Sequence, residues 1–116
     1  MTNTAPVDID HLNRYTGGDV GLNAEILRLF DGQCREMLPA LEALAQAGAD
    51  AKRAKEIAHT LKGAARGVGA FGLADAAQAA ESATNDRLAL IAAVEQIRTR
   101  SGAVLAFIEA FLAASA

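Results

Sequence analysis

Apolar residues recur at intervals of three and four along most of this chain, and no segment alternates between apolar and polar residues as a strand does. Aspartates, asparagine and glycines of the kind that cap helices interrupt the pattern at residue 8 and at 17–19, 48–50, 67–72 and 85–86. Because short connections place successive helices antiparallel, the sequence predicts an all-α fold: an antiparallel up-and-down four-helix bundle with a short additional N-terminal helix.

The interruptions also predict where each helix begins and ends. Counted with their caps, the five predicted helices cover 8–15, 19–48, 50–67, 73–83 and 86–116. Three glycines, Gly67, Gly69 and Gly72, are expected to end the third helix and to form the turn into the fourth. Pro39 is expected to kink the second helix or to loosen one of its turns, and Gly102 is a weak point in the fifth.

The bulk composition limits the possible classes of function. With 116 residues, 52% of them hydrophobic, the chain is predicted to form one compact domain over 1–116 with a flexible segment at 1–6. A net charge of −3 without a dense Lys/Arg block argues against a nucleic-acid surface. The single cysteine, Cys34, offers neither a disulfide framework nor paired metal ligands. With no secretory signal and no membrane-spanning run, a cytoplasmic location without membrane association is expected.

The most informative stretch of the chain places His59, Lys62 and Gly63 on one side of a predicted helix. Residues three and four apart on a helix are neighbours, so Lys62 and Gly63 both flank the imidazole. A glycine inside a helix costs about 1 kcal/mol relative to alanine, and this chain uses alanine almost everywhere else. The missing side chain therefore indicates access kept open for a large partner that approaches the ring.

Two stripes of residues run along the third predicted helix. The first is apolar and predicts the side that faces the bundle interior, at Ala54, Ala58, Leu61, Ala65 and Val68. The second is displaced around the helix and carries four cations and one imidazole, at Lys52, Lys55, His59, Lys62 and Arg66. A cationic stripe in an acidic protein is able to attract an acidic partner over a long range.

Two other patterns do not predict a site. The glycines over 67–72 match the dinucleotide-binding spacing G-x-G-x-x-G, but that fingerprint needs a preceding strand and a parallel sheet, and here a helix precedes it. His11 and His59 are far apart in sequence, and neither has a metal-binding residue four positions later. We therefore expect no metal and no nucleotide cofactor.

The chain resembles the histidine-containing phosphotransfer (HPt) family over roughly residues 7–112. The resemblance rests on the run over 58–63, on Val68-Gly69-Ala70 and on Leu73 at fixed offsets from the histidine. A Gly-Gly-Asp before the second helix and a Gly-Ala-Asp before the third agree with it. The resemblance implies a phosphocarrier of two-component phosphorelays, without a catalytic activity of its own. Its partners would be response-regulator receiver domains and a hybrid histidine kinase.

The same resemblance implies roles for particular residues. His59 would accept a phosphoryl group from a receiver aspartyl phosphate and pass it to another receiver. Lys62 would lie near the phosphate, and Gly63 would leave room for the partner. A Gln or Glu on the next helix commonly supports the imidazole in this family; by its offset from His59 that place falls to Glu81, with Gln78 one turn earlier as the other candidate.

A partner surface around the histidine is expected as well. Its predicted members are Leu12 and Tyr15 on the first helix, together with Lys55 and Arg66 from the cationic stripe. The chain is expected to act as a monomer, because it supplies all four helices of the bundle itself.

Three other interpretations stay open at the level of sequence. A sensor-kinase dimerisation domain also carries a reactive histidine, but an acidic residue usually follows that histidine, whereas Thr60 follows here. A phosphotransfer domain of the chemotaxis-kinase type normally begins a much longer protein. A helical adaptor bundle in which His59 is incidental is the third.

Overall fold

The computed structural model describes residues 5–114, which form five α-helices and no strand. The helices are α1 (Ile9–Thr16), α2 (Val20–Ala47), α3 (Ala51–Val68), α4 (Phe71–Ser82) and α5 (Arg87–Ala114). The predicted all-α class is therefore confirmed. Of the segment 1–6 that was expected to be flexible, residues 1–4 lie outside the described part. No helix within residues 5–114 has both the length and the apolar character that a membrane span requires.

Aspartates begin the first three helices, as predicted. The side chains of Asp8, Asp19 and Asp50 each accept a hydrogen bond from the backbone N–H three residues later, at 3.2, 3.0 and 3.1 Å. These bonds satisfy donors that have no partner inside the helix. The same three helices end at a glycine in the left-handed region: Gly17, Gly48 and Gly69.

The connection between α3 and α4 is shorter than the sequence predicts. α3 continues through Gly67, and α4 begins at Phe71, so Gly72 lies in its first turn. Of the three glycines expected to make this turn, only Gly69 has a positive φ, at 89°. A helix ends where the backbone leaves helical geometry, whereas a glycine with helical angles remains part of it. Pro39 and Gly102 likewise lie inside α2 and α5 without ending them.

The core lies where α2, α3, α4 and α5 meet, since α2 and α4 each contact both α3 and α5. All five members of the predicted apolar stripe on α3 are buried: Ala54, Ala58, Leu61, Ala65 and Val68. Cys34 of α2 is also buried, and burial is the main cause that raises the pKa of its thiol to about 12.

α1 is attached to α2 and α3 by a small apolar contact and by hydrogen bonds. Asn23 of α2 is 2% exposed; its amide donates to Asn13 Oδ1 at 2.7 Å, and its Oδ1 accepts from Thr16 Oγ1 at 2.6 Å. Leu12 is also 2% exposed. Its expected place on a partner surface is therefore wrong, because its side chain is the one that α1 buries.

Candidate functional site

His59 projects outward from the middle of α3. Ala58 and Leu61, which flank it in the sequence, are buried. Because they face the core, the side of α3 that carries His59 faces solvent. The side chain of His59 is 67% exposed. Its ring is therefore presented to an approaching molecule and is not part of the core.

A carboxylate from α4 holds one edge of this ring. Glu81 Oε2 lies 2.7 Å from His59 Nδ1. Because an ionised carboxylate only accepts hydrogen bonds, the neutral ring has its proton on Nδ1 and its lone pair on Nε2. With Nδ1 facing Glu81, the accessible edge of the ring is the one that carries Nε2. This arrangement can supply a nitrogen nucleophile.

The other carboxylate oxygen of Glu81 binds Lys62. The ammonium donates to Glu81 Oε1 at 2.5 Å and to Gln78 Oε1 at 3.1 Å. Lys62 and Glu81 are well covered, with 13% and 12% of their side chains exposed. Lys62 first, and His59 second, hold the pKa of the Glu81 carboxyl below its ordinary value by hydrogen bonding to it. Of the two residues considered as supports for the imidazole, Glu81 contacts the ring and Gln78 contacts Lys62.

Gly63 lies one turn after His59 and is exposed. A Cβ atom built on Gly63 would meet nothing within 4 Å. Packing inside the protein therefore does not require a glycine here, although glycine lowers the stability of a helix by about 1 kcal/mol relative to alanine. The open space beside the imidazole extends outward from the molecule.

The remaining predicted residues are distributed over two helices. Tyr15 is 75% exposed on α1, with its ring against that of His11 at 5.2 Å between centroids. Lys55 and Arg66 are exposed on α3. Lys55 also lines a shallow cleft beside the imidazole, together with Lys52, Glu56, His59 and Glu81. Leu12 does not belong to this surface, because it is buried under α1.

Ser82 belongs to this hydrogen-bonded cluster but was not among the residues predicted from the sequence. Gln78 Nε2 donates to Ser82 Oγ at 3.1 Å, which extends the chain of hydrogen bonds one residue beyond Lys62 and Gln78. The two residues are four apart on α4, and that spacing is the signal by which they could have been paired.

Among residues 5–114 no group of three or more His, Cys, Asp or Glu side chains is arranged to hold a metal ion.

Comparison with models of known protein families shows to which family this chain belongs. The family model described as Hpt domain matches residues 25–114, which is most of the chain. The chain belongs to the Hpt domain family. Hpt domains are histidine-containing phosphotransfer domains of phosphorelays; they act as phosphocarriers and interact with receiver domains and histidine kinases. Comparisons with curated proteins and with solved structures gave no match.

The matched range contains the whole cluster around the imidazole. His59, Lys62 and Gly63 on α3 lie within it, as do Gln78 and Glu81 on α4. α1, including Tyr15, lies before the first matched residue. The Hpt assignment therefore rests on the part of the chain that holds the imidazole and its carboxylate.

Proposed function

We propose that this Hpt domain accepts a phosphoryl group on Nε2 of His59 from the aspartyl phosphate of a receiver domain and passes it to a second receiver. The observation that carries the proposal is the exposed imidazole whose Nδ1 is 2.7 Å from a carboxylate. In this geometry the ring keeps its proton on the protein side and turns its lone pair toward the partner.

The phosphoryl group moves directly between two side chains, and the receiver would supply the metal ion and most of the charge stabilisation that the transfer needs. A bond forms between His59 Nε2 and phosphorus while the bond between phosphorus and the aspartyl oxygen breaks, and the receiver aspartate is released as a carboxylate. The ring becomes positively charged and keeps its proton on Nδ1. Glu81 stabilises this charge as an aspartate stabilises the imidazolium of a catalytic triad. Transfer to the second receiver reverses these steps.

The bundle that presents this ring consists of α2 to α5, which we propose to run antiparallel, up and down, within one domain that acts as a monomer. The pairwise contacts support this arrangement, since α2 and α4 each contact both α3 and α5. α1 is the short additional helix, and it contacts only α2 and α3 among the described elements. The domain works in the cytoplasm, as a carrier without an autonomous catalytic site.

The receiver contacts a surface that we call the docking face, made of His59, Gly63, Tyr15, Lys55 and Arg66. Tyr15 supplies exposed aromatic area, and Gly63 leaves the ring accessible. Neither Lys55 nor Arg66 forms an ion pair with a carboxylate among residues 5–114. Unpaired cations attract an acidic phosphorylation pocket, and salt weakens that attraction.

Two exposed leucines of α2 extend the docking face in place of the buried Leu12. Leu29 and Leu22 are 68% and 41% exposed and lie seven residues, or two turns, apart on one side of the helix. Gln33, one turn after Leu29, lines a groove with Thr60 of α3. With antiparallel helices, Leu29 then lies on the side of α2 that borders Gly63.

Mixing with a phosphorylated receiver tests the proposed function. The chain is incubated with a panel of receivers labelled on aspartate, and acid-labile, base-stable label is measured on it. Wild type and His11→Gln, the matched control with the other histidine removed, should become labelled, whereas His59→Gln should not. Label retained in His59→Gln would overturn the assignment. No label on wild type from any receiver would favour an adaptor bundle.

A further inference from the structure

A cavity at one end of the bundle has apolar walls. It lies where residues 5–8, the turn between α3 and α4, and α5 meet, and its volume is about 350 Å³. We call it the Arg100 cavity, and its apolar walls are formed by Ala5, Pro6, Phe71, Leu73, Ala103 and Val104. Ligand pockets in proteins have volumes from about 300 Å³ upward and mostly apolar walls. The Arg100 cavity is therefore large enough to bind an apolar side chain.

The cavity is separate from the imidazole. Gly69, which lines it, follows His59 by ten residues, a distance of about 15 Å along a helix. Neither His59 nor Glu81 contributes to its lining. A molecule bound in the Arg100 cavity therefore leaves the imidazole accessible.

Arg100 brings a positive charge to this cavity. It is exposed on α5 and forms no ion pair with a carboxylate among residues 5–114. By contrast, Arg35, Arg53 and Arg98 each pair with a carboxylate. A guanidinium presents its donors in a planar fork that fits a carboxylate through two parallel hydrogen bonds. Arg100 therefore offers a carboxylate-binding group that no acidic side chain of residues 5–114 occupies.

Gly72 determines where this guanidinium lies. A Cβ atom built on Gly72 would be 3.3 Å from Arg100 Nη1 and 3.8 Å from its Cζ. The guanidinium thus lies against the bare backbone of α4, and a side chain at position 72 would displace it. Glycine lowers the stability of a helix by about 1 kcal/mol relative to alanine. Here the missing side chain leaves room for a cation beside the cavity.

Asp8 is the other charged residue of the lining. Its Oδ1 accepts a hydrogen bond from the backbone N–H of His11 at 3.2 Å, and it forms no ion pair with Arg100. The carboxylate of Asp8 therefore serves as the cap of α1, and the charge of Arg100 has no counter-charge beside the apolar walls. The complementary ligand carries a carboxylate next to an apolar group.

We propose that the Arg100 cavity binds the C-terminal residue of a partner polypeptide: an apolar side chain enters the cavity, and the terminal α-carboxylate binds the guanidinium of Arg100. A chain that ends in leucine or phenylalanine carries both groups on one residue, whereas an internal aspartate or glutamate has a carboxylate without an apolar side chain. Capture of a terminal carboxylate is a recurring mode of peptide recognition. The inference goes beyond the proposed phosphoryl transfer and does not depend on it.

A titration followed by ¹H–¹⁵N NMR spectra tests the proposal with a defined probe, the peptide N-acetyl-Gly-Ser-Gly-Phe with a free C-terminus. The backbone amides of Gly69, Phe71, Gly72 and Ala103 should shift on binding, as should the side-chain Nε–H of Arg100. The same peptide with a C-terminal amide, and one that ends in serine, should each bind about tenfold more weakly, because each lacks one of the two contacts. Equal binding of the free acid and the amide would overturn the proposal.

Two variants test the cation. Arg100→Gln should weaken binding of the peptide by about tenfold or more, because the charged hydrogen bonds to the carboxylate are lost. Gly72→Ala should also weaken it, since the new Cβ displaces the guanidinium without removing its charge. Arg28→Gln is the matched control, because Arg28 is an exposed arginine of α2 that likewise forms no ion pair with a carboxylate among residues 5–114. Unchanged binding by Arg100→Gln would contradict the proposal.

Other occupants of the cavity are recognised in the same titration. If 3-phenylpropanoate, which has the aromatic ring and the carboxylate without a peptide, binds as tightly as the peptide, the cavity takes a free acid and the proposed chain end is wrong. If the same amides shift with protein concentration in the absence of peptide, a second copy of the chain is the occupant, which also overturns the proposal. Labelling of His59 by a receiver is measured separately, so failure of the proposed function is distinguishable from failure of this site.

Discussion

Gly63, in the middle of α3, and Gly69, at its C-terminal end, stand in opposite surroundings. A Cβ on Gly63 would meet nothing within 4 Å, whereas a Cβ on Gly69 would lie 2.6 Å from the backbone oxygen of Asp8. Gly69 also has a φ of 89° and accepts a hydrogen bond from Asp8 N at 2.9 Å. The fold requires a glycine at 69, whereas packing among the described residues does not require one at 63.

The largest effect that tests this contrast is expected from Gly69→Ala. The alanine would have to adopt a left-handed backbone conformation, and its Cβ would push Asp8 away. Together these two costs should lower the free energy of unfolding by about 2 to 4 kcal/mol. Gly17→Ala is the matched control, because Gly17 has a φ of 67° with nothing within 4 Å of a Cβ, and it should cost only about 1 kcal/mol. Urea unfolding followed by circular dichroism measures both. Equal costs would mean that the contact with Asp8 is unimportant.

The second effect concerns docking and is expected from Gly63→Gln. The longer side chain should cover the approach to His59 and slow labelling by a receiver about tenfold or more. Labelling by phosphoramidate should change by less than a factor of about two, since a small donor needs little space. The free energy of unfolding should rise by up to about 1 kcal/mol, because glutamine is the better helix former.

Gly102→Gln is the control for that experiment. Gly102 is also an exposed helical glycine with nothing within 4 Å of a Cβ, and it lies on α5, which does not contact α1 or α3. It should gain the same stability without loss of labelling by the receiver. Normal labelling of Gly63→Gln by the receiver would contradict the idea that the missing side chain serves access.

The smallest effect is a difference in pH dependence between the two regions. Lys62 and then His59, both on α3, lower the pKa of Glu81. A depressed carboxyl pKa stabilises the folded state above the unfolded pKa, which is about 4.3 for glutamate, and the contribution is lost as pH falls through the folded pKa. The backbone hydrogen bond between Asp8 and Gly69 does not titrate.

Unfolding of wild type and Glu81→Gln, measured between pH 7 and pH 3, tests this sign. The two free energies should differ at neutral pH, with wild type the more stable, and should converge in acid below about pH 4. Gly69→Ala should stay less stable than wild type by the same amount over this range. A constant difference for Glu81→Gln would show that the carboxylate charge is not what stabilises the site.

The starts of the first three helices were predictable because each depends on a local cap. Asp8, Asp19 and Asp50 accept hydrogen bonds within the next turn, so the sequence contains the whole interaction. The start of α4 was predicted two residues late because a glycine in a sequence does not reveal the sign of its φ. Gly72 has helical angles in the first turn of α4, whereas Gly69 is left-handed.

Contacts between helices were less predictable, since they depend on how two elements are rotated and shifted against each other. Gln78 and Glu81 are three residues apart on α4, and either one could reach α3 by sequence distance alone. The turn at Gly69 sets the position of α4 along α3 and directs Glu81 to the ring and Gln78 to Lys62. For α1, periodicity did not reveal that Leu12 is the side chain it buries.

The buried thiol of Cys34 offers a second way to measure these stability changes, through the rate at which it is alkylated. A thiol reacts as the thiolate and only where a reagent reaches it, and this one is 2% exposed with a pKa of about 12. Alkylation therefore requires that the helices separate, and its rate reports how often they open. Gly69→Ala should increase the alkylation rate and Gly63→Ala should decrease it, so that the single cysteine of the chain reports the opening of the bundle.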